Sequence, residues 1–209
     1  ASWATRALAG HVDTELPQPG HDLVLTIDSE VQEILLSALA GYQSGAALLL
    51  NPRDGAIRGM VSKPNFDPNQ WSGRLTAEAK RLIDTNPYHP MLDKSLQAYF
   101  PGSVYKVVTA LAGLEDGVIT ADQRVESPGA YDFGQRLFRC HKRSGHGRID
   151  LSTALAASAD VYFYKLGETI GIDTLADYGR QMGFGQRSGL GLNSESPGLT
   201  PTRAHHEAK

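Results

Sequence analysis

One tight reversal constrains this chain more than any other feature. GAALLLN at 45–51 and AIRGMVS at 56–62 flank Pro52-Arg53-Asp54-Gly55. Asp-Gly supports a tight turn, so the two runs read as a β-hairpin. Near-continuous apolarity in the first run predicts a strand buried on both faces, so cover must come from elsewhere in the chain. DLVLTI at 22–27 is a second β-rich run. Asp28 then reads as the N-cap of SEVQEILLSALA, with Val31, Ile34, Leu35 and Leu39 along one face. Helical patterns follow at 76–84, within 99–117, and at 150–158, 161–170 and 173–182. Residues 118–149 read as a long irregular stretch, and a stretch of that length in a compact domain usually wraps a site. Polar residues 1–20, with Pro17 and Pro19, read as a connecting arm.

Composition excludes several classes. Twenty Lys plus Arg against 23 Asp plus Glu give a net charge of −3, which argues against nucleic acid as a partner. With 41% hydrophobic and 21% charged residues, the 209-residue chain can build a packed core. The single Cys140 excludes an internal disulfide and any multi-cysteine metal site. The longest apolar run, AALLL at 46–50, is far short of the roughly 20 residues of a membrane helix.

Two short motifs carry chemistry. PGSVYK places Ser103 and Lys106 three apart at a helix start, on one face, so the amine reaches the hydroxyl. A serine needs such a base to become a nucleophile, and a helix N-terminus offers its amide to a developing oxyanion. Ser158-Ala159-Asp160 lies between two helical segments and presents a second hydroxyl and a carboxylate. Each motif alone also fits a blander reading: a serine cap with a solvated lysine, and Asp160 capping a helix that begins at Val161.

Taken together, PGSVYK, GHGRIDLSTALAASADVYFYKLGETIGID and GFGQRSGLGLNSESPGLTPT resemble the transpeptidase domain of class B penicillin-binding proteins. The subgroup is the cell-elongation one, penicillin-binding protein 2. DLVLTIDSEVQ, the hairpin segment and LDKSLQAYFPGS fit the same family in the same order, so the match runs from about residue 20 to 203. The resemblance implies an α/β penicillin-recognising, β-lactamase-like fold. Its sheet portion falls at 21–75 and its helical subdomain at 76–209. It also implies a peptidoglycan D,D-transpeptidase acting on the D-Ala-D-Ala end of a stem peptide, with Ser103 as nucleophile, Lys106 as base, and Ser158 and Asp160 as the second motif. β-Lactams are expected to acylate Ser103. No cofactor is implied. Partners are a membrane glycosyltransferase and elongation scaffold proteins at the periplasmic face of the bacterial inner membrane, with the anchor outside this chain.

The family's third motif, Lys-Thr-Gly or Lys-Ser-Gly, has no counterpart here. None of the seven lysines is followed by Ser/Thr-Gly, and Arg143-Ser144-Gly145 and Arg187-Ser188-Gly189 read as loop chemistry. The expectation is a C-terminally incomplete fold, inactive or very slow by itself. Two alternatives stay open: a truncated or decayed domain acting only through binding, and a D,D-carboxypeptidase or β-lactamase-type hydrolase. Cys140, His141 and His146 are zinc-type donors, and some relatives resemble zinc binders here, one of their ligands being a cysteine in the middle of the second motif. This chain has Ala159 at that place, so no metal is expected, only a surface-loop thiol beside solvated histidines. Tyr162, Phe163 and Tyr164 are expected to pack behind the second motif. Arg136, Arg139, Lys142, Arg143 and Arg148 are expected to form a solvated loop, and His205 and His206 a solvated tail.

Overall fold

Two side chains build the reversal of the hairpin. Asn51 accepts the amide of Arg53 and Asp54 accepts that of Ala56, at 3.0 and 2.9 Å. Strand β1 (Gly45–Leu50) accordingly pairs with β2 (Ile57–Lys63). A computed structural model describes residues 20–71 and 75–208. They divide into two compact units, one running to Tyr42 and including Ala46–Val61, the other holding Gln43–Gly45 and the chain from Ser62 onward. Apart from Gly20, the arm expected at 1–20 lies outside the described residues.

In the first unit, α1 (Ser29–Ala38) begins where the Asp28 carboxylate accepts the amides of Glu30 and Val31. It lies against β2 through Gln32, whose side-chain amide donates to the Met60 carbonyl at 2.7 Å and accepts the Met60 amide at 2.9 Å. Gly59 permits that approach, since an added Cβ would fall 2.6 Å from Leu35 Cδ1. Two expectations fail here. Residues 22–27 form no strand, because among the described residues no ladder partner lies alongside them, and Thr26 and Asp28 bond to the carbonyls of Ile57 and Arg58. Leu48, Leu49 and Leu50 are 45%, 46% and 48% exposed rather than buried on both faces, because among the described residues this sheet has two strands.

The second unit carries α2 (Ala77–Asp84), α3 (Tyr105–Glu115), four short strands, α4 (Leu151–Ala156), α5 (Asp160–Ile170), α6 (Ile172–Gln181) and α7 (Arg203–Glu207). Its core joins Ala110 of α3, Leu151 and Ala154 of α4, and Tyr162, Phe163 and Leu166 of α5 around Ile119 and Ala159. Burial of these side chains at roughly 25 cal/mol per Å² of apolar surface fixes α3 against α5. One face of α3 is covered: Val108, Thr109, Ala110 and Ala112 are buried, while Val107 and Leu111 are exposed. The Tyr178 hydroxyl of α6 donates to the Asp116 carboxylate at 2.7 Å, tying α6 to the end of α3.

Residues 118–149 are not irregular. β3 (Val125–Ser127) pairs antiparallel with β6 (Gly147–Ile149), and inside that ladder β4 (Ala130–Phe133) pairs with β5 (Arg136–Arg139). The nest is tied at its waist, where the Cys140 amide donates to Gly129 O at 2.9 Å and the His146 amide to Ser127 O at 2.7 Å. A Cβ on Gly129 would sit 1.7 Å from the Arg143 carbonyl oxygen.

Gly129→Ala therefore has to displace backbone, with an expected cost of about 3 kcal/mol or more in urea unfolding. An unchanged midpoint would show that the loop repacks freely. The Tyr178–Asp116 bond, together with burial and the nearby carboxylate charges, pushes the phenol up to about 12. The folded value lies above the unfolded one, so the bond's contribution is complete below about pH 10 and fades as pH rises toward the folded value. Ultraviolet titration of the folded chain should show one late-ionising tyrosine, absent from Tyr178→Phe.

Candidate active site

The site grows from the start of α3 and the junction of α4 with α5. Ser103 lies in a single 3-10 turn, Gly102–Val104, that leads into α3, and Lys106 follows in the first turn of the helix. Ser158 ends the preceding α4 segment in the left-handed region, at φ 49°. Such a backbone is uncommon for a residue with a Cβ and is kept only where neighbours impose it. Here the amides of Ser158 and Ala159 donate to Leu155 O and Ala154 O, at 3.0 and 2.9 Å. The reversed chain turns both the carbonyl and the hydroxyl of Ser158 toward Lys106.

Lys106 spends all three ammonium protons on this junction. Nζ donates to Ser158 O at 2.8 Å, to Ser158 Oγ at 2.9 Å and to Asp160 Oδ1 at 2.6 Å. Ser158 Oγ in turn donates to Ser103 Oγ at 3.0 Å. The sequence puts the amine directly on the Ser103 hydroxyl; the structure interposes Ser158. All four candidate residues thus meet in one path, Asp160–Lys106–Ser158–Ser103. The ring of Phe163 lies 5.8 Å from Nζ and adds a cation–π contact.

Asp160 opens α5 rather than capping it, because Ala159 holds the cap position. Burial opposes its ionisation, but the Lys106 hydrogen bond, the His141 amide and the lysine charge outweigh that and hold the carboxyl below its ordinary value. Its second oxygen accepts the His141 amide at 3.2 Å and lies 3.6 Å from His141 Nδ1. No sequence pattern points to His141 in this role; nineteen residues separate it from Asp160 and only the nested strands bring it close.

The same loop corrects the expectation for Cys140. Its residue surface is 1% exposed, and Sγ lies 3.4 Å from His146 Nε2 and 3.7 Å from His141 Nδ1. Burial, reinforced by the charge of Lys142, lowers the His146 pKa and favours the neutral ring. The donor atoms of Cys140, His141 and His146 all lie within 4.8 Å of one another, a set of borderline-soft ligands that suits zinc in kind. It supplies three of four corners. Ala159 brings no donor, and both oxygens of Asp160 are engaged by Lys106 and His141.

Residues 45–209 match the family model of the penicillin-binding protein transpeptidase domain. The chain belongs to that family. It is 33% identical over 190 residues to the peptidoglycan D,D-transpeptidase MrdA of Escherichia coli, covering 90% of this chain and 30% of that protein. It is 35% identical over 191 residues to the stage V sporulation protein D of Bacillus subtilis, covering 88% and 28%. Among solved structures, Pseudomonas aeruginosa PBP2 in complex with WCK 5153 superposes with a TM-score of 0.84 at 36% identity, over 91% of this chain and 44% of that one. PBP2 of Helicobacter pylori gives 0.81 at 30% identity, over 88% and 35%. The fold is that of the penicillin-binding transpeptidase domains, and the chain spans about 30% of the length of the curated relatives it matches.

Asp160→Asn should leave Lys106 with a weaker acceptor and cost about 2 kcal/mol at neutral pH. The folded pKa lies below the unfolded value near 3.9, so this contribution is present above about pH 4 and is lost as pH falls through the lowered value. Urea denaturation of both proteins at pH 7 and pH 3 checks it; a difference that does not shrink between pH 7 and pH 3 would refute the ionic origin.

Proposed function

We propose that this chain carries the acylation machinery of a peptidoglycan D,D-transpeptidase of the cell-elongation type. The observation that supports this reading is the unbroken hydrogen-bonded path from Asp160 through Lys106 and Ser158 to Ser103. Ser103 Oγ attacks the carbonyl of the D-Ala-D-Ala bond, and its proton passes through Ser158 to Lys106, which acts as base once its ammonium has given up one of its three protons. The amide at the start of α3 faces the oxyanion. Collapse of the tetrahedral intermediate breaks the C–N bond. The departing D-alanine takes its proton back from Lys106 by way of Ser158, and an ester on Ser103 remains. An amine of a neighbouring stem then attacks that ester, forming the crosslink and restoring the Ser103 hydroxyl. Asp160, itself held by the His141 amide, aims the lysine.

No lysine of this sequence is followed by Ser/Thr-Gly, so the family's cation for the substrate carboxylate and its second oxyanion donor are not among these 209 residues. Losing one oxyanion donor costs on the order of a hundredfold in rate, so the chain by itself is slow. The stem peptide and β-lactams are the substrates in this reading, with no cofactor. The division into a sheet portion at 21–75 and a helical subdomain at 76–209 belongs to the same reading. A membrane glycosyltransferase and elongation scaffold proteins are the partners, at the periplasmic face of the inner membrane. A Helicobacter pylori PBP2 similar to this chain has been solved in complex with MreC, which supports a scaffold of that kind. No helix among the described residues is long and apolar enough to cross a membrane.

Intact mass after incubation with penicillin tests the reading. The 209-residue chain should take up one β-lactam at least about a hundredfold more slowly than a penicillin-binding relative that carries a Lys-Ser/Thr-Gly segment. Ser103→Ala should take up none, and Lys106→Ala should slow labelling by about 10²–10⁴. Prompt labelling of the 209-residue chain overturns its slowness, and an adduct that survives Ser103→Ala overturns the assignment of the nucleophile. Crosslinked dimer in excess of hydrolysed stem, measured on the 209-residue chain, separates a transpeptidase from a carboxypeptidase.

A further inference from the structure

Residues four apart on a helix share a face, so Tyr164 and Glu168 continue the line of Asp160 along α5. That line runs into a groove of about 510 Å³ beside the β4–β5 hairpin. Its walls are aromatic: Tyr131, Phe133 and Phe138 come from the hairpin and Tyr164 from the helix. Tyr131 stands opposite Phe138 in the ladder, and Phe138 meets Tyr164 edge to face with centroids 5.6 Å apart. Tyr164, expected to pack behind the second motif, instead faces this groove, whereas Tyr162 and Phe163 are buried. One carboxylate enters, Glu168, and the Tyr131 hydroxyl donates to it. The rim is cationic. Arg136 lies 6.0 Å from the Phe138 ring, Lys165 lies 6.0 Å from the Tyr131 ring, and Arg203 closes one end.

We propose that this groove is a glycan subsite, holding the sugar backbone of the peptidoglycan strand whose stem reacts at Ser103. The inference rests on the transpeptidase reading and names where the polymer is gripped. Pyranose rings present apolar C–H faces that stack on aromatic walls, and their hydroxyl and acetamido groups find Glu168 and Tyr131. The volume falls within the roughly 300–1,000 Å³ typical of small-ligand sites. The stems borne by the glycan are anionic, which matches the cations at the rim. At about 1.5 Å of rise per residue, Glu168 lies about 12 Å along α5 from Asp160, so the groove and the Asp160 end of the site share one helix.

The test uses the 209-residue chain and a peptide-free oligomer of two N-acetylglucosamine–N-acetylmuramic acid disaccharides, titrated by amide chemical shift. Shifts should concentrate at residues 131–138, 164–168 and 203–206. Phe133→Ala, at a position 52% exposed and so free to change without unfolding the domain, should weaken binding about three- to tenfold. Glu168→Gln, which keeps the shape, should weaken it as well. Ser103→Ala should bind the glycan like the wild type, so a failure of acylation and a failure of glycan binding are read separately. No shifts at millimolar glycan, or equal affinity in Phe133→Ala and Glu168→Gln, overturns the subsite. Perturbation of the groove by a sugar-free stem peptide and not by the glycan overturns it in favour of a peptide site.

Discussion

The ammonium of Lys106 is the contact on which the site depends. Its side chain is 12% exposed, and a charge taken that far from water is tolerated only when its donors are met by good acceptors. A carboxylate, a hydroxyl and a carbonyl meet all three. Because these acceptors come from residues 158 and 160, the requirement reaches beyond α3 and dictates how α4 gives way to α5. A conventional helix-to-helix turn would point the Ser158 carbonyl elsewhere. The left-handed backbone there is the local cost, and the buried core of Ala154, Ala159, Tyr162 and Phe163 beneath it is what holds that conformation.

The same logic extends to the nested strands. Asp160 can face Lys106 with one oxygen only if its other oxygen is also satisfied, and the His141 amide does that. His141 is brought there by the hydrogen bonds that pin Cys140 to Gly129 and His146 to Ser127. The buried Cys140 thiol thus packs beneath the loop over the carboxylate. A short ladder far from Ser103 in sequence becomes part of the hydrogen-bonded path.

How much of this was legible in the residues follows the range of each interaction. Local signals carried well: the Asp54-Gly55 turn, the Asp28 cap, and the helices around Ser103 and Asp160 all rest on contacts within four residues. The motif residues were legible because their type and order are fixed by chemistry and resemble a family. What escaped was non-local. The strands at 125–149 are three or four residues long, too short for an alternating pattern, and their register depends on pairs such as Val125 with Ile149. The apolar run at 22–27 has strand composition and no ladder partner, so composition alone misled there. Ser158 as the link between Lys106 and Ser103 was hidden for another reason: spacing says that the lysine and the first serine share a face, and says nothing of a third hydroxyl arriving between them.

The division of labour in the sequence has a consequence for catalysis. In the proposed reading Ser103, Lys106, Ser158 and Asp160 move and hold a proton, and none of them grips a long substrate. Grip matters, because binding energy gathered away from the reacting bond is what orients a polymer and offsets its ordering. A site with a complete proton path and a sparse binding shell has its hydroxyl poised, yet depends on remote contacts to bring a carbonyl within reach. In the second unit the surface proposed to meet this need lies along α5, where the line of side chains that starts at Asp160 continues into an aromatic wall. In that reading one helix sets both the chemistry proposed at its first residue and the place of the polymer two turns later, and a change in its pitch or rotation would disturb the two together.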